Sequence, residues 1–465
     1  LSGQEIEENR FASFYGALDY SLFDRYVLNV SFRTDGSNNF GSDEQFNPTW
    51  SAGAVWHVSE ETFMEVVRPV LSRLSLRVAT GYTGNINKTV KPNLMMKYYK
   101  NFRISDDENY RMGYINNAPN PKLRWEKTRD VKVALDFGLW KDRINGIVEA
   151  YWRKSKDCVT SEYVPVTTGF FNQSYNTSVL QNNGVEFSLS VAVLKSKDYN
   201  LSVSANVAWN QNKLKKYNSP NTSLALDKYV GYPMGAVFSG KYEGIDPETG
   251  MYKFKLRPDA VTNKDGYLRE PNNYYYYLGT SVAPFTGGFN LNFSYKNIGL
   301  SVGGSYSVKA KMVDNIESPA GYELLSGSKL ESIPTPHNDL YRNHLNVKRE
   351  VRNRWTPENR TGVKYPRLID AYGKKLGLDL TNPTLTTITR GALLEDISYL
   401  RINTIALSYS LPQRVLERIN FSSAALNLTL NNFFTITKYS GIDPEVPGAT
   451  YPVSRSVTIG LNVGF

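Results

Sequence analysis

The sequence predicts an all-β chain that builds the wall of a transmembrane antiparallel β-barrel, and three observations carry that prediction. The final residues, 454–465, place Val457, Ile459, Leu461, Val463 and Phe465 at every second position, with Ser456, Thr458, Gly460, Asn462 and Gly464 between them. A strand sends successive side chains to opposite faces, so this segment has one apolar face and one small, polar face. That is the division a wall between lipid and a wet lumen needs, and an aromatic carboxy-terminal residue suits a barrel-closing strand. The same period-2 pattern recurs about thirteen times along the 465 residues. The connections are also sorted by length, with short charged turns at one set of strand ends and long Asn-, Gly-, Pro- and Tyr-rich loops at the other. Short periplasmic turns and long extracellular loops are the asymmetry of bacterial outer-membrane barrels.

The elements follow in order. A strand at 11–20 reaches Leu22-Phe23-Asp24-Arg25, which turns the chain into a second strand at 26–33. Strands at 50–58 and 74–82 come next, then a long loop over 83–124. The pair 131–139 and 144–152 is joined by Trp140-Lys141-Asp142-Arg143 and followed by a loop over 155–183. The pair 185–193 and 201–209 is joined by Lys195-Ser196-Lys197-Asp198 and followed by a loop over 211–284, in which 238–244 is ambiguous. Strands at 285–295 and 298–308 flank Lys296-Asn297, and the longest loop covers 309–396. Strands at 399–411 and 424–430, a loop over 433–452 and the last strand at 453–465 complete the set. Connections this long without structure are rare in soluble domains. A soluble multi-sheet protein would also alternate along each strand; the very small polar positions and the sorted loops favour the barrel.

Composition agrees. Mean hydropathy is −0.42, and no run reaches the roughly 18 apolar residues of a spanning helix. Barrels tolerate a polar average because only alternate residues meet lipid. The 32 Tyr and 7 Trp suit membrane interfaces. Cys158 is the single cysteine, so no disulfide framework exists within the chain. The net charge of +10 is scattered, with a modest concentration at 347–360, and no recognition motif for nucleic acid accompanies it. Contact with acidic lipid headgroups or an acidic partner accounts for it.

Strand parity adds an expectation. If the last strand descends to the periplasm, thirteen strands put the start of the chain at the outer surface. A single-chain bacterial barrel has an even strand number with both ends inside. An odd number of strands is therefore expected upstream or in a second chain, and residues 1–465 are expected to be the carboxy-terminal portion of one barrel domain.

Several dispersed segments resemble the carboxy-terminal half of the barrel of SusC/RagA-type TonB-dependent transporters of the Bacteroidetes outer membrane. They are Arg-Thr-Asp-Gly-Ser-Asn-Asn-Phe-Gly at 33–41, Asn-Pro-Lys-Leu-Arg-Trp-Glu-Lys-Thr at 120–128, Leu-Asp-Phe-Gly at 135–138, Thr-Thr-Gly-Phe at 167–170 and Asn-Gly-Val-Glu at 183–186. Gly-Tyr-Pro-Met-Gly at 231–235, Leu-Glu-Asp-Ile-Ser-Tyr-Leu-Arg at 394–401, Ser-Tyr-Ser-Leu-Pro at 408–412 and Lys-Tyr-Ser-Gly-Ile-Asp-Pro-Glu at 438–445 continue the series. The resemblance implies a barrel of about 22 strands. It also implies a plug-bearing amino-terminal part that couples to TonB, and a SusD-like surface lipoprotein acting as a lid. Import of an oligosaccharide or peptide would proceed without chemistry on the substrate. A passive or structural outer-membrane barrel (a porin, a secretion component or an adhesion platform) is the alternative.

For substrate contact the sequence offers loop aromatics, because sugar rings stack on aromatic faces. Tyr274, Tyr275, Tyr276 and Tyr277 form one run, and Trp355 lies among the basic residues of the longest loop. Interfacial or loop packing is the simpler reading of both. Catalysis finds no support. His57, His337 and His344 match neither a zinc spacing nor a serine triad, and there is no Gly-x-Ser-x-Gly elbow. The acidic stretches 106–108 and 246–250 lack the spacing of a calcium loop. No metal, cofactor or enzymatic activity is expected.

Overall fold

The computed structural model describes residues 9–85, 90, 92, 95–105, 108–217, 229–248, 250, 252–255, 257–259, 275–313, 353–363, 390–449 and 451–465. The chain divides into two compact units, with the boundary between Met234 and Gly235.

The first unit holds β1 (Phe11–Leu22), β2 (Tyr26–Ser37), β3 (Phe46–His57), β4 (Leu71–Asn85), β5 (Met95–Ser105), β6 (Glu108–Asn117), β7 (Glu126–Leu139), β8 (Ile144–Tyr163), β9 (Asn172–Lys195) and β10 (Tyr199–Tyr217). Eight of these form an antiparallel meander in the order β1-β2-β3-β4-β7-β8-β9-β10, and β5 pairs with β6 as a separate hairpin. The second unit holds β11 (Ala236–Ile245), β12 (Tyr252–Lys255), β13 (Tyr275–Thr280), β14 (Phe285–Tyr295), β15 (Ile298–Val308), β16 (Lys311–Val313), β17 (Leu394–Asp396), β18 (Tyr399–Ser410), β19 (Ser423–Thr437) and β20 (Ser456–Gly464). Its wall runs β14-β15-β18-β19-β20, beside a three-stranded sheet β12-β11-β13 and the small pair β16-β17. The wall strands are the thirteen that the alternation marks, all antiparallel to their neighbours within each unit.

Register turns alternation into faces. Tyr26, Trp56 and Leu76 stand opposite one another on β2, β3 and β4, as do Leu28, Ala54 and Val78, and Phe32, Trp50 and Tyr82. Most of these are exposed although apolar, along with Leu18 on β1 and Leu135 on β7. In water such a face would be an aggregation site; against lipid it is the required surface. The other face carries charge. Arg77 of β4 pairs with Asp136 of β7 at 2.5 Å, Lys132 of β7 with Glu149 of β8 at 3.2 Å, and Arg153 of β8 with Asp130 of β7 at 2.9 Å. β20 behaves likewise: Val457, Ile459 and Leu461 are exposed, Val463 is half-buried, and Phe465 meets Phe421 edge-on at 5.1 Å. Among the described residues β20 pairs with β19 alone and β1 with β2 alone.

The tight turns use left-handed backbone. Phe23 and Asp24 have φ of 54°, and Trp140, Lys141 and Asp142 have φ of 51–59°. Positive φ matches the twist of a tight hairpin, and Asp tolerates it better than most residues.

The wall strands outrun their sequence signal. β8 has 20 residues and β9 has 24, so the ladder continues through much of the expected loop over 155–183. The upper part of β9, Asn-Gln-Ser-Tyr-Asn-Thr-Ser, has no apolar face at all. Above the bilayer both faces are wet, so the lipid-driven alternation disappears while the backbone groups still need partners. The ambiguous stretch 238–244 is strand, the centre of the three-stranded loop sheet.

Candidate functional site

The second unit's loop sheet holds most of the aromatic run expected to meet substrate. Tyr275, Tyr276 and Tyr277 lie on β13 opposite Gly240, Ser239 and Phe238 of β11; Tyr274 lies outside the described residues. Period 2 splits the run, with Tyr275 and Tyr277 on one face and Tyr276 on the other. β12 adds Phe254 opposite Tyr242. One face therefore collects Phe238, Tyr242, Phe254, Tyr275 and Tyr277, with ring centroids 5.7 Å apart for Phe238 and Tyr277 and 6.0 Å for Tyr242 and Phe254. Tyr277 is 41% exposed and Tyr242 37%. Partly exposed rings on a paired sheet, tilted 55° and 54° within the two pairs, form a ridged apolar surface edged by phenol hydroxyls, which suits contact with a sugar face or an unfolded peptide.

The other face is packed. Ser239 is 1% exposed, and an added Cβ on Gly391, in the 3-10 turn Arg390–Leu393, would lie 1.8 Å from the Gly240 carbonyl oxygen. Only glycine permits that approach. Sequence reasoning missed Phe238, Tyr242 and Phe254, which are distant in the chain from the tyrosine run; the ambiguous alternation at 238–244 was the one signal for the first two, and Phe254 had none.

Trp355 is elsewhere in the same unit. It is 8% exposed, and its indole N–H donates to the Pro247 carbonyl at 2.9 Å. It braces the turn at 246–250, where Asp246 accepts from the Glu248 backbone at 2.8 Å. His57 shares a hydrogen bond of 3.0 Å with Ser75, and His337 and His344 lie outside the described residues. Among the described residues no group of three or more His, Cys, Asp or Glu side chains is placed to hold a metal. Cys158 is a buried free thiol on β8.

The loop bases are built where sequence motifs meet in pairs. In the first unit, 33–41 meets 120–128. Phe40 stacks on Trp125 at 4.4 Å, the Gly41 N–H donates to the Leu123 carbonyl at 2.9 Å, and an added Cβ on Gly41 would lie 1.8 Å from the Pro121 oxygen. Arg124 then reaches Asp157 of β8 at 2.6 Å. In the second unit, 394–401 meets 438–445. Tyr439 packs with Ile397 and Ala310 in a small buried core, and the Ser440 N–H donates to Glu395 at 2.9 Å. Arg401, 2% exposed, pairs with Asp443 and also with Glu445 at 2.9 Å. Burial works against the charge on Asp443, but the backbone N–H groups of Glu445 and Val453 and the Arg401 guanidinium outweigh it, and its pKa falls below the ordinary 3.8.

An antiparallel meander with a lipid face, a charged opposite face, tight turns at one end and built-up loops at the other is the wall of an outer-membrane β-barrel. The chain belongs to the TonB dependent receptor-like, beta-barrel family, whose model matches residues 2–328. It is 27% identical over 488 residues to the TonB-dependent receptor SusC of Bacteroides thetaiotaomicron, covering 98% of this chain and 44% of SusC. A TonB-dependent receptor of Formosa agariphila is 26% identical over 498 residues, covering 98% of this chain and 46% of that protein. The chain thus spans about half the length of these curated relatives. Among solved structures, the RagAB peptide transporter superposes with a TM-score of 0.79 at 25% identity, covering 98% of this chain and 48% of that one. The SusC/RagA-type reading of the motifs therefore holds, and the protein is an outer-membrane β-barrel protein.

Proposed function

We propose that this chain is the carboxy-terminal wall and loop portion of a TonB-dependent importer that carries oligosaccharides or oligopeptides across the outer membrane. In this reading a plug-bearing amino-terminal part fills the barrel and receives energy through TonB, and a SusD-like lipoprotein closes over the loops. The observation that carries it is alignment over 98% of the chain with both SusC and the RagAB transporter. The loop sheet supports a role in capture: its aromatic face, with Tyr275 and Tyr277 beside Phe238, would hold the solute by stacking, and the charged wall face would offer exchangeable polar contacts along the path. Trp355 would act on the substrate only indirectly, by bracing the loops.

Purification of the native complex from outer membranes, with every polypeptide identified and uptake of labelled glycans and peptides measured, tests the reading. A plug-bearing partner segment, a surface lipoprotein and TonB-dependent uptake are expected. A complex without plug or lid that conducts ions when reconstituted would replace the importer with a passive barrel. Within a working importer, Tyr277→Ala should weaken substrate binding roughly 2- to 13-fold, the worth of one aromatic contact, read by titration of the purified complex.

A further inference from the structure

The turn between β3 and β4, residues 58–70, shares with the β18–β19 connection, which holds the short helix Gln413–Arg418, a length and helical content that the other tight-end turns lack. It carries 3-10 turns at Val58–Glu60 and Thr62–Met64, and helical hydrogen bonds of 3.1 and 2.8 Å run from Arg68 N to Met64 O and from Leu71 N to Val67 O. Its exposed large apolar residues are Phe63, Val66, Val67 and Val70, the spacing of one helical face, while Met64 is turned inward. All four point away from the protein: Phe63 is 64% exposed and Val66 is 88%. A soluble turn has no reason to present such a face.

Two observations locate that face. Glu61, in the same segment, accepts hydrogen bonds from the Tyr26 hydroxyl at 2.5 Å, the Trp56 indole at 3.1 Å and the Arg25 guanidinium at 3.2 Å. Tyr26 and Trp56 belong to the lipid-facing side of β2 and β3, where with Leu28, Ala54 and Leu76 they line an apolar notch of about 330 Å³. The staple therefore ties the turn to the lipid side of the wall. The neighbouring turns extend the apolar surface, because Phe23 is 76% exposed and Trp140, whose N–H donates to the Val70 carbonyl at 2.7 Å, is 50% exposed. The segment's charges are largely matched on the spot, Glu60 with Arg68 at 3.1 Å and Glu61 with Arg25.

We infer that residues 58–70 form an interfacial foot that lies in the periplasmic leaflet of the outer membrane, with Phe63, Val66, Val67 and Val70 seated at the boundary between headgroups and acyl chains. The occupant of this face is phospholipid, because the face is continuous with the lipid-exposed wall through Trp56 and Tyr26. With Glu60 and Glu61 neutralised in place and Glu65 on the polar side, seating does not require anionic lipid, unlike a basic amphipathic helix.

The test is site-directed spin labelling of the full transporter in nanodiscs of phosphatidylethanolamine with a minor fraction of phosphatidylglycerol. A nitroxide on Val66→Cys, in a Cys158→Ala background, should collide more with dissolved oxygen than with an aqueous nickel chelate, at a depth of about 5–10 Å. A nitroxide on Glu65→Cys should show the reverse preference. Val66 and Glu65 are both exposed, so neither label disturbs packing. If the Val66 label prefers the nickel chelate, the segment is a solvated turn and the inference fails. If that label is shielded from both reagents, a protein partner or the plug covers the face, and the inference fails equally.

Discussion

Arg401 is the residue on which the second unit's loop base turns. Its guanidinium is buried against two carboxylates, so Arg401→Ala leaves Asp443 and Glu445 facing one another without a cation. Breaking a buried pair in this way costs about 3–5 kcal/mol, and the loss should appear as faster hydrogen exchange across 438–449. The pH dependence follows from Asp443. Its pKa is lower in the folded protein than its ordinary 3.8, so its contribution is complete above that value and is lost as pH falls through the depressed one. Protection factors over 438–449, which divide out the intrinsic pH dependence of amide exchange, should be unchanged between pH 7 and 5 and should fall only below about 3.8; a fall near neutral pH would rule Asp443 out as its source. In the first unit, Trp125→Ala removes the stacking partner of Phe40 from a site 5% exposed. It should cost about 3–5 kcal/mol, seen as a lower midpoint in denaturant unfolding of the detergent-solubilised protein. These residues were legible in part. Phe40, Trp125, Arg401 and Asp443 all stand in motifs that the sequence displays, but which motif meets which is set by strand order, and no local pattern encodes that.

At the scale of the element, lipid writes itself into the sequence and water does not. β20 and the lower halves of β2, β3 and β4 were readable because every second residue must satisfy hydrocarbon. The upper half of β9 was not, because Asn172, Ser174 and Asn176 alternate with residues that are equally polar in their surroundings. The loop sheet was hidden for a related reason: β12 is four residues long and β13 six, too short for a period to declare itself. The difference between faces is testable on β20. Ile459→Arg puts a charge into lipid and should cost about 2–4 kcal/mol near the bilayer midplane, lowering the yield of heat-modifiable folded protein. Thr458→Lys, on the opposite face, should fold as the parent does. Equal effects at the two positions would contradict the assigned faces.

For the molecule as a whole, the sorting of turns and loops fixes orientation in the membrane. A cysteine in place of Lys197, in the turn between β9 and β10, should react with a membrane-impermeant maleimide only after the outer membrane is permeabilised. One in place of Tyr451, which is 79% exposed in the loop before β20, should react on intact cells. Reversal of the pair would invert the topology. Membership of the TonB dependent receptor-like family agrees with this orientation, and four of the dispersed motifs, 33–41 with 120–128 and 394–401 with 438–445, are loop bases that pack on one another.

The height of β9 has a consequence for the cell surface. Its 24 residues rise by about 80 Å of extended chain, whereas a tilted strand crosses hydrocarbon in roughly 9–11 residues. More than half of the strand stands clear of the bilayer as paired backbone. That palisade is fastened by side chains as well as by main-chain hydrogen bonds: Asn176 donates to the Arg124 and Asp157 carbonyls at 2.8 and 2.7 Å, and Gln173 to the Pro119 carbonyl at 2.7 Å. Substitutions at those fastening positions should loosen the rim, whereas epitopes inserted at the crest between β8 and β9, residues 164–171, should be displayed without disturbing the wall below.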